Sequence, residues 1–167
     1  MKLEEAKLQF IQAWGKLGTE WGINRTMAQI HALLMISEKS LSTEEIMEGL
    51  SISRGNANMN IRELLNWNLV HKVLVPGDRK EYFNGEKDIW EVAKRIARER
   101  KKREIEPVLQ ELKQLQSLED ADSAEAKQFV STVKNIHDFA GKIDKSVETM
   151  LKADENWFFG SILKLLK

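Results

Sequence analysis

The chain has 167 residues, 31% of them charged, with 26 Lys and Arg balanced by 26 Asp and Glu, and no cysteine. That length suits one domain, or a small domain with a helical extension. The missing cysteines exclude disulfides and thiolate metal sites, and the two prolines and nine glycines favour helix over an all-β sandwich.

His31, His71 and His137 lie far apart in sequence, so neither a metal nor another cofactor is expected. The opening "MKLEEAKLQF" has the character of neither a signal peptide nor a membrane span. A soluble, cytoplasmic protein without a membrane partner is the expectation. The balanced charge hides a local bias: residues 51–85 hold five Lys and Arg against three Asp and Glu. Nucleic-acid binding needs a local basic surface rather than a basic chain.

Leu3, Ala6, Phe10, Trp14, Leu17 and Trp21 recur at steps of three and four, which predicts one helix with these residues on its buried face, stopped at Gly22. A second helix is predicted over Thr26–Ile36, with Met27, Ile30, Leu33 and Leu34 inward. In "LSTEEIMEGL", Ser42 with Glu45 three residues on is a capping-box pattern, and Ile46, Met47 and Leu50 form the apolar side. Ser53 is a good N-cap for the next helix, whose buried face is Ala57, Ile61 and Leu64. A short helix, a brief turn and a second helix are helix-turn-helix spacing.

The start of that second helix, "SRGNANMN", is made of poor helix formers. Capping explains Ser53 and turning explains Gly55, but neither explains three asparagines. Gly55, Asn56, Met59 and Arg62, with Asn58 at the margin, share the face opposite Ala57 and Ile61. Asparagine can bond adenine through N6 and N7, arginine can bond guanine or phosphate, and glycine allows a close backbone approach. The pattern predicts a DNA-reading face. "VHKVLV" and "KEYF" then read as two short strands around a Pro76-Gly77-Asp78 turn, a wing with Arg79 near its tip. Arginine there suits the minor groove, although the same residue also serves as an ordinary solvated hairpin charge.

From Glu86 to about Leu115 a long helix is predicted, with Ile89, Val92, Ala93, Ile96 and Ala97 on its first buried stripe and Val108, Leu109, Leu112 and Leu115 on its second. Pro107 should kink or break it. The basic run "RERKKR", 98–103, reads as a solvated face beside that joint, with phosphate contact as the sharper option. Another helix starts near Asp122. Phe129, Val133, Ile136, Ala140, Ile143, Val147 and Met150 form an a/d heptad seam in it, able to pack within one chain or against another. The tail "ENWFFGSILKLLK", after a cap at Asp154, is a further amphipathic piece suited to a bundle or a subunit interface.

"SRGNANMNIRELLNWNLV", "PGDRKEYF" and "KDIWEVAKRIARERKKREIEP" together resemble the GbsR branch of the MarR-type winged helix-turn-helix transcription regulators, over about residues 10–120. The resemblance implies a mainly α fold with a small β-hairpin wing and long terminal dimerisation helices. It divides the chain into a winged helix-turn-helix DNA-binding domain with an N-terminal helix, 1–85, and a helical dimerisation region, 86–167. Carried over by position, the DNA-binding set is Ser53, Arg54, Gly55, Asn56, Asn58, Met59 and Arg62, with Arg79 in the wing. The family pattern has Ser where this chain has Asn58 and Gly where it has Asn68, a position asparagine tolerates because it too visits the left-handed conformation.

The expected function is a homodimeric, sequence-specific regulator on an inverted-repeat operator in double-stranded DNA. The alternative is a winged-helix protein-interaction module without direct DNA readout. No enzyme is expected, for the chain offers no nucleophilic triad and no Gly-rich phosphate loop. The family also implies a choline-like small-molecule effector. Trp14, Trp21, Trp67, Tyr82 and Trp90 could form a cation–π cage for it, although aromatics at helical spacing ordinarily belong to a core.

Overall fold

Polar side chains set helix starts in the computed structural model, which describes residues 1–119, 122–153 and 157. Asn24 accepts from the Met27 amide, Ser42 from Glu45, Ser53 from Asn56 and Ser123 from Ala126. Each cap satisfies an amide that the first helical turn leaves open, and contributes about 1 kcal/mol. In chain order the elements are α1 (Leu3–Glu20), α2 (Arg25–Ile36), β1 (Leu41–Ser42), α3 (Thr43–Leu50), α4 (Arg54–Asn66), β2 (Val70–Val73) and β3 (Tyr82–Gly85). There follow α5 (Ile89–Arg100), a π-helical turn (Lys101–Ile105), α6 (Glu106–Gln114) and α7 (Ala124–Lys152). The fold is a winged helix-turn-helix: mainly α, with one small antiparallel sheet.

The chain divides into two compact units, Met1–Arg95 and Ile96–Lys167. In the first, Ile30, Leu34, Ile46, Leu64, Val70 and Val92 are the largest fully buried side chains. Trp21 and Gly22 end α1, with Gly22 at φ +76°, and the Ile23 amide reaches back to the Gly18 carbonyl at 2.7 Å. This is the left-handed stop that glycine permits without strain. The buried face of α1 is Ile11, Gly15 and Gly18, not the predicted row Leu3, Ala6, Phe10, Trp14, Leu17 and Trp21. A Cβ on Gly18 would stand 2.6 Å from the Ala28 Cβ, so α1 and α2 approach too closely for a larger residue. The bulky row is left half-buried or exposed.

The sheet has three strands, not the predicted two, in the order β1-β3-β2. The added strand is only Leu41–Ser42, pairing Leu41 with Phe83 and Ser42 with Tyr82. β2 pairs with β3 from Val70↔Gly85 to Val73↔Tyr82. A Cβ on Gly85 would lie 3.0 Å from the α2 backbone at Leu34 and Met35, so the sheet rests on α2 at this point.

Helix α5 begins at Ile89, three residues later than predicted, because the Asp88 carboxylate accepts from the Trp90 and Glu91 amides. Of its predicted stripe, Val92 is buried, Ala93, Ile96 and Ala97 are half-buried and Ile89 is exposed. Arg95 donates to the Asn68 carbonyl and pairs with Glu86 at 2.8 Å, which ties this part of α5 to the first unit.

In the second unit the predicted break appears as the π-helical turn, with Pro107 in the first turn of α6. Proline lacks the amide that a continuous α-helix would use there. Helix α6 packs along α7, half-burying Leu109 and Leu112, while Val108 and Leu115 stay exposed. Of the predicted α7 seam, Val133 is buried and Ala140, Val147 and Met150 are half-buried. Phe129, Ile136 and Ile143 are exposed, and Phe139 with them. The expected cap at Asp154 and nearly all of the tail lie outside the described residues.

Candidate nucleic-acid interface

The turn between α3 and α4 is built by its backbone. Ser51 takes the left-handed conformation at φ +53°, and the Ser51 and Ile52 amides close back on the Glu48 and Met47 carbonyls. Before it, Ser42 and Glu45 form a complete capping box at the start of α3. The Lys39 ammonium and the Ser42 amide both donate to the Glu45 carboxylate and hold its pKa down at about 2.

Helix α4 buries Ala57, Ile61 and Leu64, as its spacing predicts. Its outer side carries Gly55, Asn58, Met59 and Arg62, all exposed, Met59 by 60%. A Cβ added at Gly55 would meet nothing within 4 Å. Ser53 is the cap, and Arg54 reaches back to Glu44 on α3 at 2.7 Å, a hydrogen bond that lowers the Glu44 pKa. Asn56 is half-buried.

The third asparagine of "NANMN" is a different case. Asn60 is only 3% exposed, and its Nδ2 donates to the main-chain carbonyl of Asn56 at 2.8 Å and to the Asn56 side chain at 2.7 Å. Asn60 therefore stands inside the helix interface rather than on the reading face.

Beside α4 stands the wing. Val75 to Asp78 form a tight turn with Gly77 at φ +83° and the Asp78 amide bonded to the Val75 carbonyl at 3.1 Å. The Asp78 carboxylate accepts from the Lys80 amide at 2.9 Å and the Tyr82 hydroxyl at 2.8 Å; these bonds stiffen the hairpin end and depress the Asp78 pKa. Arg79 is exposed, and its side chain has no ion-pair partner among the described residues. A cleft of about 350 Å³ runs between α4 and the hairpin, with Asn58, Arg62, Lys72 and Glu81 on its walls.

The five cage residues come from four elements, α1, α4, β3 and α5. Trp14 stacks on Phe10 at 5.7 Å and lies 6.2 Å from the His31 ring. Trp21 is exposed at the end of α1, and Trp67 is buried with its Nε1 donating to Glu63. Tyr82 is bonded to Asp78, and Trp90 is half-buried in the first turn of α5. Burial pushes the His31 pKa down to about 4, so the imidazole is neutral near pH 7.

Much of the basic run is engaged within its own unit. Lys101 reaches Glu106 at 2.8 Å, Asp144 at 3.0 Å and Glu148 at 3.7 Å, and these carboxylates raise its pKa. Arg100 pairs with Glu104 and Arg103 with Glu99. Sequence reading missed the Glu44–Arg54 pair and the Asn60 clamp. The second had a signal, since Asn56 and Asn60 are spaced i, i+4, where helical side chains meet.

Residues 21–81 match the family model described as MarR family. The chain is similar to YvaV of Bacillus subtilis (strain 168), a provisionally assigned HTH-type transcriptional regulator, with 24% identity over 89 residues. That match covers 53% of this chain and 50% of YvaV, so it spans about half the length of that relative. A solved structure described as a transcriptional regulator superposes with a TM-score of 0.67 at 19% identity, over 87% of this chain and 95% of that one. At such identity the likeness carries the fold. What α3, α4 and the wing build is a MarR-like winged helix-turn-helix.

Proposed function

We propose that the protein is a sequence-specific, DNA-binding transcription regulator that acts as a homodimer on an inverted repeat. The observation that carries this is the outer face of α4. Gly55, Asn58, Met59 and Arg62 are exposed together, beside a wing whose tip presents Arg79. Stability alone would place Ala, Glu or Lys there. In this reading α4 enters the major groove and Arg79 follows the flanking backbone or minor groove. The exposed apolar residues Phe129, Ile136, Phe139 and Ile143 on α7 support a second copy as the partner. The GbsR-like motifs extend the proposal to a choline-like effector, which tryptophan fluorescence during choline titration tests.

The central experiment selects bound duplexes from a random pool, then measures affinity for single-base variants at several salt concentrations. Asn56→Ala should relax preference at one symmetric base pair in each half-site, at a cost of about 1–3 kcal/mol. Arg79→Ala should weaken all sequences alike and reduce the salt slope by about one. Equal, uniform losses in both variants would defeat the assignment of α4 as the reader. No salt-dependent binding at all would favour a protein-interaction module.

A further inference from the structure

We propose that Asn60 is a positioning residue for sequence reading: it locks the Asn56 carboxamide so that its NH2 end is the one offered to DNA. The position Asn56 meets is then a base-pair edge bearing acceptors. This rests on the DNA-reading function proposed above.

The argument is one of atom identity. The Asn60 side-chain atom 2.8 Å from the main-chain carbonyl of Asn56 must be the amide nitrogen, since two acceptors would repel. The same nitrogen lies 2.7 Å from the Asn56 side chain. The atom it meets there must be Oδ1, because two donors would repel in turn. Two bonds from one buried nitrogen therefore settle which way Asn56 is turned. Its other end, Nδ2, has no hydrogen-bond partner among the described residues, nor is it one of the buried unpartnered atoms. It stays open to solvent with two N–H donors.

Asn60 has no evident stability rationale. Asparagine is a weak helix former, and a polar group buried to 3% exposure costs free energy unless bonded. A local rule broken in a helix interior without gain in stability is a mark of function. The bonds of Asn60 go to one residue only, and that residue stands at the edge of the reading face.

In the major groove, guanine shows acceptors at N7 and O6, thymine at O4 and adenine at N7, while cytosine shows the N4 donor. A donor held outward favours guanine or thymine and opposes cytosine. The bidentate adenine contact also needs Oδ1 to accept from N6, and Oδ1 is the end held at Asn60.

The test uses the full chain and the selected operator. With the wild type, guanine or thymine should exceed cytosine at one symmetric position by roughly five- to a hundredfold. Asn56→Asp keeps an acceptor for Asn60 but turns the outward donor into an acceptor, so preference there should swing to cytosine. Asn60→Ala should lose most of the discrimination at that position and leave the others unchanged. Added to Asn56→Ala, it should change nothing further there.

Asn60→Ala weakening every sequence alike would make it merely structural and overturn the proposal. So would Asn56→Asp with unaltered preference, or a wild type that demands adenine there. Should Asn60→Ala fail to fold, Asn56→Asp decides alone. A wild type that selects no sequence removes the DNA-reading function itself, and the inference with it.

Discussion

Gly55→Ala separates stability from function at a single methyl group. Gly55 is the second residue of α4, is exposed, and has helical backbone without a positive φ. The added Cβ meets nothing within 4 Å, so the protein itself has no steric need of glycine there. Alanine is favoured over glycine in a helix interior by about 1 kcal/mol, and by roughly half that so near the N-terminus. For a chain of this length, about 0.5 kcal/mol raises Tm by roughly 1–2 °C. On DNA the sign reverses. If the helix start lies against the duplex backbone or a base edge, the methyl group occupies contact space, and a misfit of about 1 kcal/mol weakens binding roughly fivefold. Thermal melting by circular dichroism reads the first effect and fluorescence anisotropy on the selected operator reads the second. A higher Tm with unchanged operator affinity would show that nothing approaches Gly55, and the proposed docking of α4 would be wrong.

Three further outcomes follow from the packing and the charges. Ile136 is 50% exposed on α7, so Ile136→Glu should leave the fold intact and, if this face joins two copies, shift light scattering from dimer to monomer; an unchanged dimer places the interface elsewhere. Gly18→Ala should destabilise, because its Cβ would clash with Ala28 at 2.6 Å and overpacking costs about 1–3 kcal/mol, more than the helix-propensity gain returns; a stabilised variant would contradict the close α1–α2 contact. Glu45, whose folded pKa is depressed from 4.5 to about 2, contributes stability that is present above pH 4.5 and lost as pH falls toward 2. Glu45→Gln keeps the capping-box geometry, so its deficit at pH 7 should shrink across that window in denaturant melts, and a pH-independent deficit would rule out the charge as its origin.

Local chemistry was the legible part of this sequence. Ser42 with Glu45, Ser53 as a cap and Pro76-Gly77-Asp78 as a turn each describe an interaction among near neighbours, and each appears as expected. Asn68 does take the left-handed conformation, at φ +55°. What failed was inference over distance. Apolar periodicity ranks residues by size, so it chose the bulky face of α1; the contact with α2 is so close that glycine wins. β1 is two residues long, too short for any period, and exists because β3 offers an edge. The α7 heptad was a true pattern, but a pattern does not say which chain covers it. The spacing of Asn56 and Asn60 carried the clamp in plain view, whereas the burial that gives it meaning comes from the tertiary fold.

Glycine at the α1–α2 contact also governs how that contact responds to temperature. Gly15 and Gly18 bring no side-chain methylenes to it and are met by the side chains of Gln29 and Ala28, so its apolar burial rests on Ile11 and the half-buried Phe10 and Trp14. Apolar burial is the source of the positive heat capacity of unfolding. Detaching α1 should therefore carry the heat-capacity change of exposing Ile11, Phe10 and Trp14, to which its two buried glycines add nothing from side chains. Leu3, Leu8 and Trp21 of the same helix stay largely exposed. Any surface that covers them takes on their heat-capacity signature, so calorimetry would register it in association rather than in folding.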